Sequence, residues 1–138
     1  MVNDLLKGKR GIIFGALNSQ SIAWKVAQRA HEEGATFVLT NAPIAMRMGE
    51  IKNLAEETGS EIIPADATSI EDLENLVTQS MEILGGKIDF VLHSIGMSPN
   101  VRKGKHYTEN DYRYYGQTMD VSAISFHKTL ATLYKHDA

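Results

Sequence analysis

Gly15 closes a short apolar run, Gly11-Ile-Ile-Phe-Gly15, and six residues later Ser21-Ile22 opens a stretch with helical periodicity. A glycine lets backbone approach a ligand closely. A helix N-terminus supplies free N–H groups and a dipole that favours negative charge. Set between a strand and a helix, the pair suits a phosphate or pyrophosphate. The spacing G-x-G-x-x-G is absent, so the glycines equally fit an ordinary strand-to-helix turn. Asp66, judged by residue type alone, fits a turn cap.

The elements that would position these residues alternate short apolar runs with helical patterns, the mark of a mostly parallel sheet. Residues 11–15 read as a buried strand. A helix follows over 21–33, with Ile22, Val26, Ala27 and Ala30 as its apolar face and Gly34 as its cap. Residues 36–40 form the second strand. Asn41-Ala-Pro43 turns the chain into a helix over 45–58, with Ile44, Met48, Ile51 and Ala55 on one side. A third strand spans 61–64, where Pro64 favours a sheet edge or a strand end.

Ser69 caps a helix over 70–84, with Asp72 at the capping-box position and Leu73, Leu76, Val77 and Leu84 inward. The fourth strand is 88–95. After an irregular stretch, Thr108 with Asp111 reads as another capping box, and the rest is helical to Tyr134 with a break near Gly116. Right-handed crossovers order these strands 3-2-1-4, half of a Rossmann-type, doubly wound α/β fold. In such a sheet a ligand binds where strand order reverses, here between the first and fourth strands.

Composition narrows the function classes. The 138 residues suffice for one α/β domain, read as the N-terminal part of a single dinucleotide-binding unit over 1–138. A net charge of −3 gives no footprint for nucleic acid. No run approaches the length of a membrane span, and the start lacks the form of a signal peptide. Without cysteine there is no disulfide framework, thiolate metal site or Cys nucleophile, which fits a cytoplasmic protein. No metal site is expected.

The string from Gly15 to Ser21-Ile22-Ala23-Trp24 resembles the atypical phosphate loop of bacterial enoyl-acyl-carrier-protein reductases, a branch of the short-chain dehydrogenase/reductases. Glu33-Gly-Ala35, Asp66, His93-Ser-Ile-Gly96, Tyr107 and Met119-Asp-Val-Ser122 agree with that family in order. The resemblance runs from about Lys7 to Leu133. Where typical short-chain dehydrogenases end the fourth strand Asn-Ala-Gly, this chain has Ser94-Ile-Gly96, nearer the enoyl reductases.

The resemblance implies NAD as cofactor, with Gly15, Ser21 and Ile22 at the pyrophosphate and Ala42 beside the adenosine ribose. It implies Asp66 and Ala67 at the adenine, Asp66 accepting from the exocyclic amine. Ile95 and Gly96 would pass behind the nicotinamide ribose, and Ser98 would lie on the substrate side. The second strand ends Thr40-Asn-Ala42, without the acidic residue common at a ribose 2′-OH. Arg47, one helical turn on, could reach a 2′-phosphate, although a solvated helix face also accounts for it. The implied reaction is hydride transfer to an enoyl thioester on acyl-carrier protein in fatty-acid elongation. The implied assembly is a homo-oligomer, usually a tetramer.

Catalytic residues are not expected within this chain. The family uses a tyrosine followed by a lysine seven positions on, and no tyrosine here has a lysine at that spacing or four positions on. Family members are about twice this length, so the polypeptide is expected to continue beyond Ala138. Phe90-Val-Leu92 would otherwise border an unpaired edge, an aggregation hazard that an intact-mass measurement on soluble protein addresses. Other readings are a dinucleotide-binding or regulatory module without catalysis, and a short-chain oxidoreductase acting on an alcohol or ketone.

Several residues have plain explanations. His93 reads as a packed or hydrogen-bonded core residue, and Trp24 as a helix-surface or interface contact. Arg102, Lys103, Lys105 and His106 read as a solvated loop, with contact to an acidic carrier protein as the alternative. Tyr107, Tyr112, Tyr114 and Tyr115 could supply a hydroxyl proton, but helix packing accounts for them more simply.

Overall fold

Ile12, Ile13 and Phe14 are all buried, so strand β1 (Arg10–Phe14) lies between two layers rather than facing water. The computed structural model describes residues 3–100 and 104–138. Strands β2 (Thr36–Thr40) and β3 (Phe90–His93) pair with β1 in parallel, giving the order β2-β1-β3. Ile13 stands opposite Leu39 on one side and Leu92 on the other.

The third strand expected at 61–64 is reduced to one parallel bridge, Ile62 to Leu39, on the outer side of β2. The Ile63 and Ala65 N–H groups donate to the carbonyls of Leu39 and Asn41, each at 3.0 Å. Donors toward one neighbour alternate along a strand. Pro64 therefore falls at the position facing away, where its missing N–H removes no ladder bond. The four segments keep the order 3-2-1-4.

Helices α1 (Ile22–Glu32) and α3 (Ile51–Thr58) cover one face of the sheet. Ala23, Ala27 and Leu54 pack there with Ile13, Phe37 and Leu39. On the other face, α4 (Ile70–Leu84) packs Leu73 and Leu76 against Ile12, Phe14 and Val38. Between β2 and α3 runs the short helix α2 (Pro43–Met48). Helix α5 (Tyr112–Met119) continues through a π-helical turn (Asp120–Ile124) into α6 (Ser125–Lys135), which lies beside α4.

Several local expectations are corrected. The buried face of α1 is Ala23, Trp24, Ala27 and Ala30, while Ile22 is 76% exposed and Val26 is exposed. Trp24 is therefore a core residue. Both stripes satisfy helical spacing, and the one with three alanines lets the helix approach the sheet more closely. The helix expected at 45–58 is two helices, broken at Gly49. The Glu50 N–H donates to the Leu17 carbonyl at 2.8 Å, and a Cβ on Gly49 would lie 2.5 Å from that oxygen. The loop after β1 thus crosses the chain at the break, leaving Ile44 and Met48 exposed while Ile51 and Ala55 are buried.

Near the C-terminus, Asp111 alone caps α5, accepting from the Arg113 N–H at 2.9 Å. The capping box belongs to His106 and Glu109, not to Thr108 and Asp111. Gly116 does not interrupt α5, and the irregularity is the π-helical turn after it. Tyr107, Tyr112 and Tyr115 are exposed, because neither the 3-10 turn Tyr107–Glu109 nor α5 buries any of its residues in the core. Helix packing therefore does not account for these three.

At α4 the expected capping box is half-made. The Ser69 hydroxyl accepts from the Asp72 N–H at 3.2 Å, but the Asp72 carboxylate turns away to accept from the Asp66 N–H at 2.9 Å. Ser69→Ala is expected to destabilise the protein by about 1 kcal/mol. Ser69→Asp should recover most of that loss, as read from urea unfolding midpoints.

Candidate functional site

A cleft of about 350 Å³ lies beyond the carboxyl ends of β1 and β3. Phe14 and Gly15 form its floor, Ala42 and Ala45 one wall, and Asp66, Ala67 and Thr68 another. The chain leaving β3 at Ser94, Ile95, Gly96 and Met97 closes it, together with Val121 from the π-helical turn. Six of the eight positions expected to meet a cofactor line this cleft: Gly15, Ala42, Asp66, Ala67, Ile95 and Gly96. Ser21, Ile22 and the substrate-side Ser98 are not among its lining residues.

Gly15 is fixed by the fold as well as by any ligand. Its φ is +98°, and an added Cβ would sit 1.9 Å from the Ser94 carbonyl oxygen. The tight approach of the two strand ends therefore requires glycine. Ser21 shapes the loop that follows. Its hydroxyl accepts from the Leu17 and Asn18 N–H groups at 3.0 and 3.1 Å, and makes no hydrogen bond to the first turn of α1. The helix N-terminus thus keeps its donors and positive dipole end for an anion, which fits a pyrophosphate.

Asp66 closes a turn and also lines the cleft. One carboxylate oxygen accepts from the Thr68 N–H at 2.9 Å and from the Thr68 hydroxyl at 2.7 Å, closing a turn. The side chain is exposed at the cleft and is the one charged group among its described lining residues. An acceptor there, amid small apolar walls at Ala42, Ala45 and Ala67, fits a flat ring that carries an amine donor. Arg47 is exposed and lies outside the lining, as a solvated helix face would have it.

Asn41 has a structural part that residue type did not signal. Its amide donates to the Ala16 carbonyl at 3.0 Å while its oxygen accepts from the Ala42 N–H at 2.9 Å. It thus ties the end of β2 to the loop after β1, holding Ala42 against the cleft. Leu17 and Ala45 are also lining residues that sequence reasoning did not single out, and Val121 belongs to the Met119-Asp-Val-Ser122 string. Of the basic cluster, Lys105 and His106 are exposed, and Arg102 and Lys103 lie outside the described residues.

His93 lies behind the cleft as a packed residue. Its ring sits between Phe14 and Phe126, with centroids 6.0 and 5.2 Å away. Nε2 is 2.8 Å from the Ser125 hydroxyl, whose proton goes to the Val121 carbonyl at 2.6 Å. Nε2 is therefore the donor of that pair. Burial holds the imidazole pKa below its ordinary 6.5. The unfolded chain binds this proton at higher pH than the folded one. Stability should thus be full above the unfolded value and fall as pH drops through the folded one. Denaturant unfolding at about pH 8 and about pH 5.5 is expected to show the loss, and His93→Gln should shrink it. An unchanged acid loss in that variant would assign the effect elsewhere.

Among the described residues no helix is long and apolar enough to cross a membrane, and no cluster of three metal-ligating side chains occurs.

The sequence profile of the enoyl-(acyl carrier protein) reductase family matches residues 15–136. An NADH-dependent enoyl-[acyl-carrier-protein] reductase of Rhizobium meliloti is 35% identical over 126 residues, covering 91% of this chain and 46% of that protein. The crystal structure of a FabI–NADH complex from Alistipes finegoldii superposes with a TM-score of 0.95 at 62% identity, covering 99% of this chain and 48% of that one. An enoyl-(acyl-carrier-protein) reductase from Anaplasma phagocytophilum, solved with NAD, superposes with a TM-score of 0.83 at 27% identity, covering 94% of this chain and 49% of that one. The chain spans about half the length of the relatives it matches. It belongs to the enoyl-(acyl carrier protein) reductase family.

Proposed function

We propose that residues 1–138 are the cofactor-holding N-terminal part of a single dinucleotide-binding reductase domain. The whole protein would reduce the trans-2 double bond of enoyl-acyl-carrier-protein thioesters with NADH in fatty-acid elongation. The observation that carries this reading is the cleft between β1 and β3, lined by small residues and one carboxylate beside an uncapped helix N-terminus. Bound NADH would supply the hydride. Gly15 and the start of α1 would receive the pyrophosphate, with Ser21 holding the loop and Ile22 at its rim. Ala42 would flank the adenosine ribose, and Asp66 and Ala67 the adenine. Ile95 and Gly96 would back the nicotinamide ribose, leaving Ser98 toward the substrate. No residue of this chain is assigned the proton-delivering role.

NADH is favoured over NADPH because no cation lies among the described cleft-lining residues to meet a 2′-phosphate. The proposed setting is the cytoplasm, and the proposed assembly is a homotetramer. Exposed apolar residues on α5 and α6, including Tyr115, Met119, Phe126 and Leu130, favour an interface there. Titration of the full-length protein should give tighter binding of NADH than of NADPH. Equal or reversed affinities would remove the cofactor assignment.

A further inference from the structure

The π-helical turn at Asp120–Ile124 holds one residue more per turn than the α-helices on either side of it. Such turns persist where side chains must be re-aimed, and the hydrogen bonds here run to both loops that wall the cleft. The Ser122 hydroxyl accepts from the Met97 N–H at 3.0 Å and donates to the Met97 carbonyl at 3.2 Å. One side chain thus holds both polar main-chain groups of a cleft residue. Gly96, Met97 and Ser98 are exposed, so burial contributes little to fixing this segment. The second loop is held from α6. Lys128 Nζ donates to the Thr68 carbonyl at 2.9 Å and is steered there by the Asp120 carboxylate at 3.2 Å. Thr68 in turn holds the carboxylate of Asp66.

We infer that this turn is a brace for the cleft, with Ser122 as the positioning residue for the Gly96–Met97 wall and Lys128 for the Asp66–Thr68 wall. The inference rests on the dinucleotide reading of the cleft. It requires the two arms to act on different halves of the ligand, since Met97 and Thr68 hold separate segments. An α-helical turn in place of the π-helical one would rotate Ser122 and Lys128 relative to each other, so that both could not reach their loops.

The test uses the full-length protein with NADH and ADP as probes, because ADP carries the adenosine and pyrophosphate but no nicotinamide. Ser122→Ala should weaken NADH about tenfold while leaving ADP within about twofold, the effect of losing a paired hydrogen bond at one wall. Ser122→Thr keeps the hydroxyl and should bind NADH within about twofold of the parent. Lys128→Met should weaken ADP and NADH alike. Unchanged NADH binding in Ser122→Ala, equal loss of both ligands in that variant, or failure of Ser122→Thr to restore binding would each overturn the brace. If the unsubstituted protein binds neither NADH nor ADP, the dinucleotide reading itself fails and takes the brace with it.

Discussion

Gly15→Ala is expected to destabilise the protein by about 3–5 kcal/mol and to abolish measurable NADH binding. Two independent costs combine. A φ of +98° is poorly tolerated by any residue with a Cβ, a penalty on the order of 1–2 kcal/mol. The added methyl would also lie 1.9 Å from the Ser94 carbonyl oxygen and 2.8 Å from its carbon, which are backbone atoms that no rotamer change can move. Relief requires β1 and β3 to part at the ends that form the cleft. Stability and binding should therefore fall together, as measured by urea unfolding and NADH titration of the same preparation. A Gly15→Ala protein with an unchanged midpoint would show that the strand ends do not approach as described.

Asp66→Asn separates structure from recognition. Asparagine keeps one oxygen to accept from the Thr68 N–H and hydroxyl, so the turn survives. It replaces the other carboxylate oxygen with an NH₂ group, a donor, where the proposed adenine amine also donates. Losing a hydrogen bond to a charged acceptor costs about 2 kcal/mol, so the NADH dissociation constant should rise roughly thirtyfold. Stability should stay within about 0.5 kcal/mol of the parent. Unchanged affinity would leave Asp66 as a turn cap and nothing more.

The parts legible in the sequence were those where local pattern and tertiary packing agree. Ile12-Ile-Phe14 is apolar on both faces because both are covered. Leu73, Leu76 and Val77 repeat at helical spacing because one face of α4 meets the sheet. Pro64 marked its own edge. The misread parts were set by contacts distant in sequence. Nothing in 45–58 announces that the Leu17 carbonyl presses on Gly49, and two competing stripes in α1 are resolved only by how closely alanine lets it approach.

At the site, Gly15, Asp66 and Gly96 could be placed in order along the chain. That Ser21 would spend its hydroxyl on Leu17 and Asn18, or that Asn41 would bind Ala16, depends on loop geometry that residue type does not encode. The π-helical turn was also hidden, because the contacts that go with it, such as Ser122 to Met97, join residues distant in sequence.

The central claim is that this chain forms the NADH-holding half of an enoyl thioester reductase. The direct measurement is consumption of NADH by the full-length protein when it is given a crotonyl thioester of acyl-carrier protein. Turnover that depends on the thioester, faster with NADH than with NADPH, is the predicted result. No turnover with either nicotinamide cofactor would contradict the account.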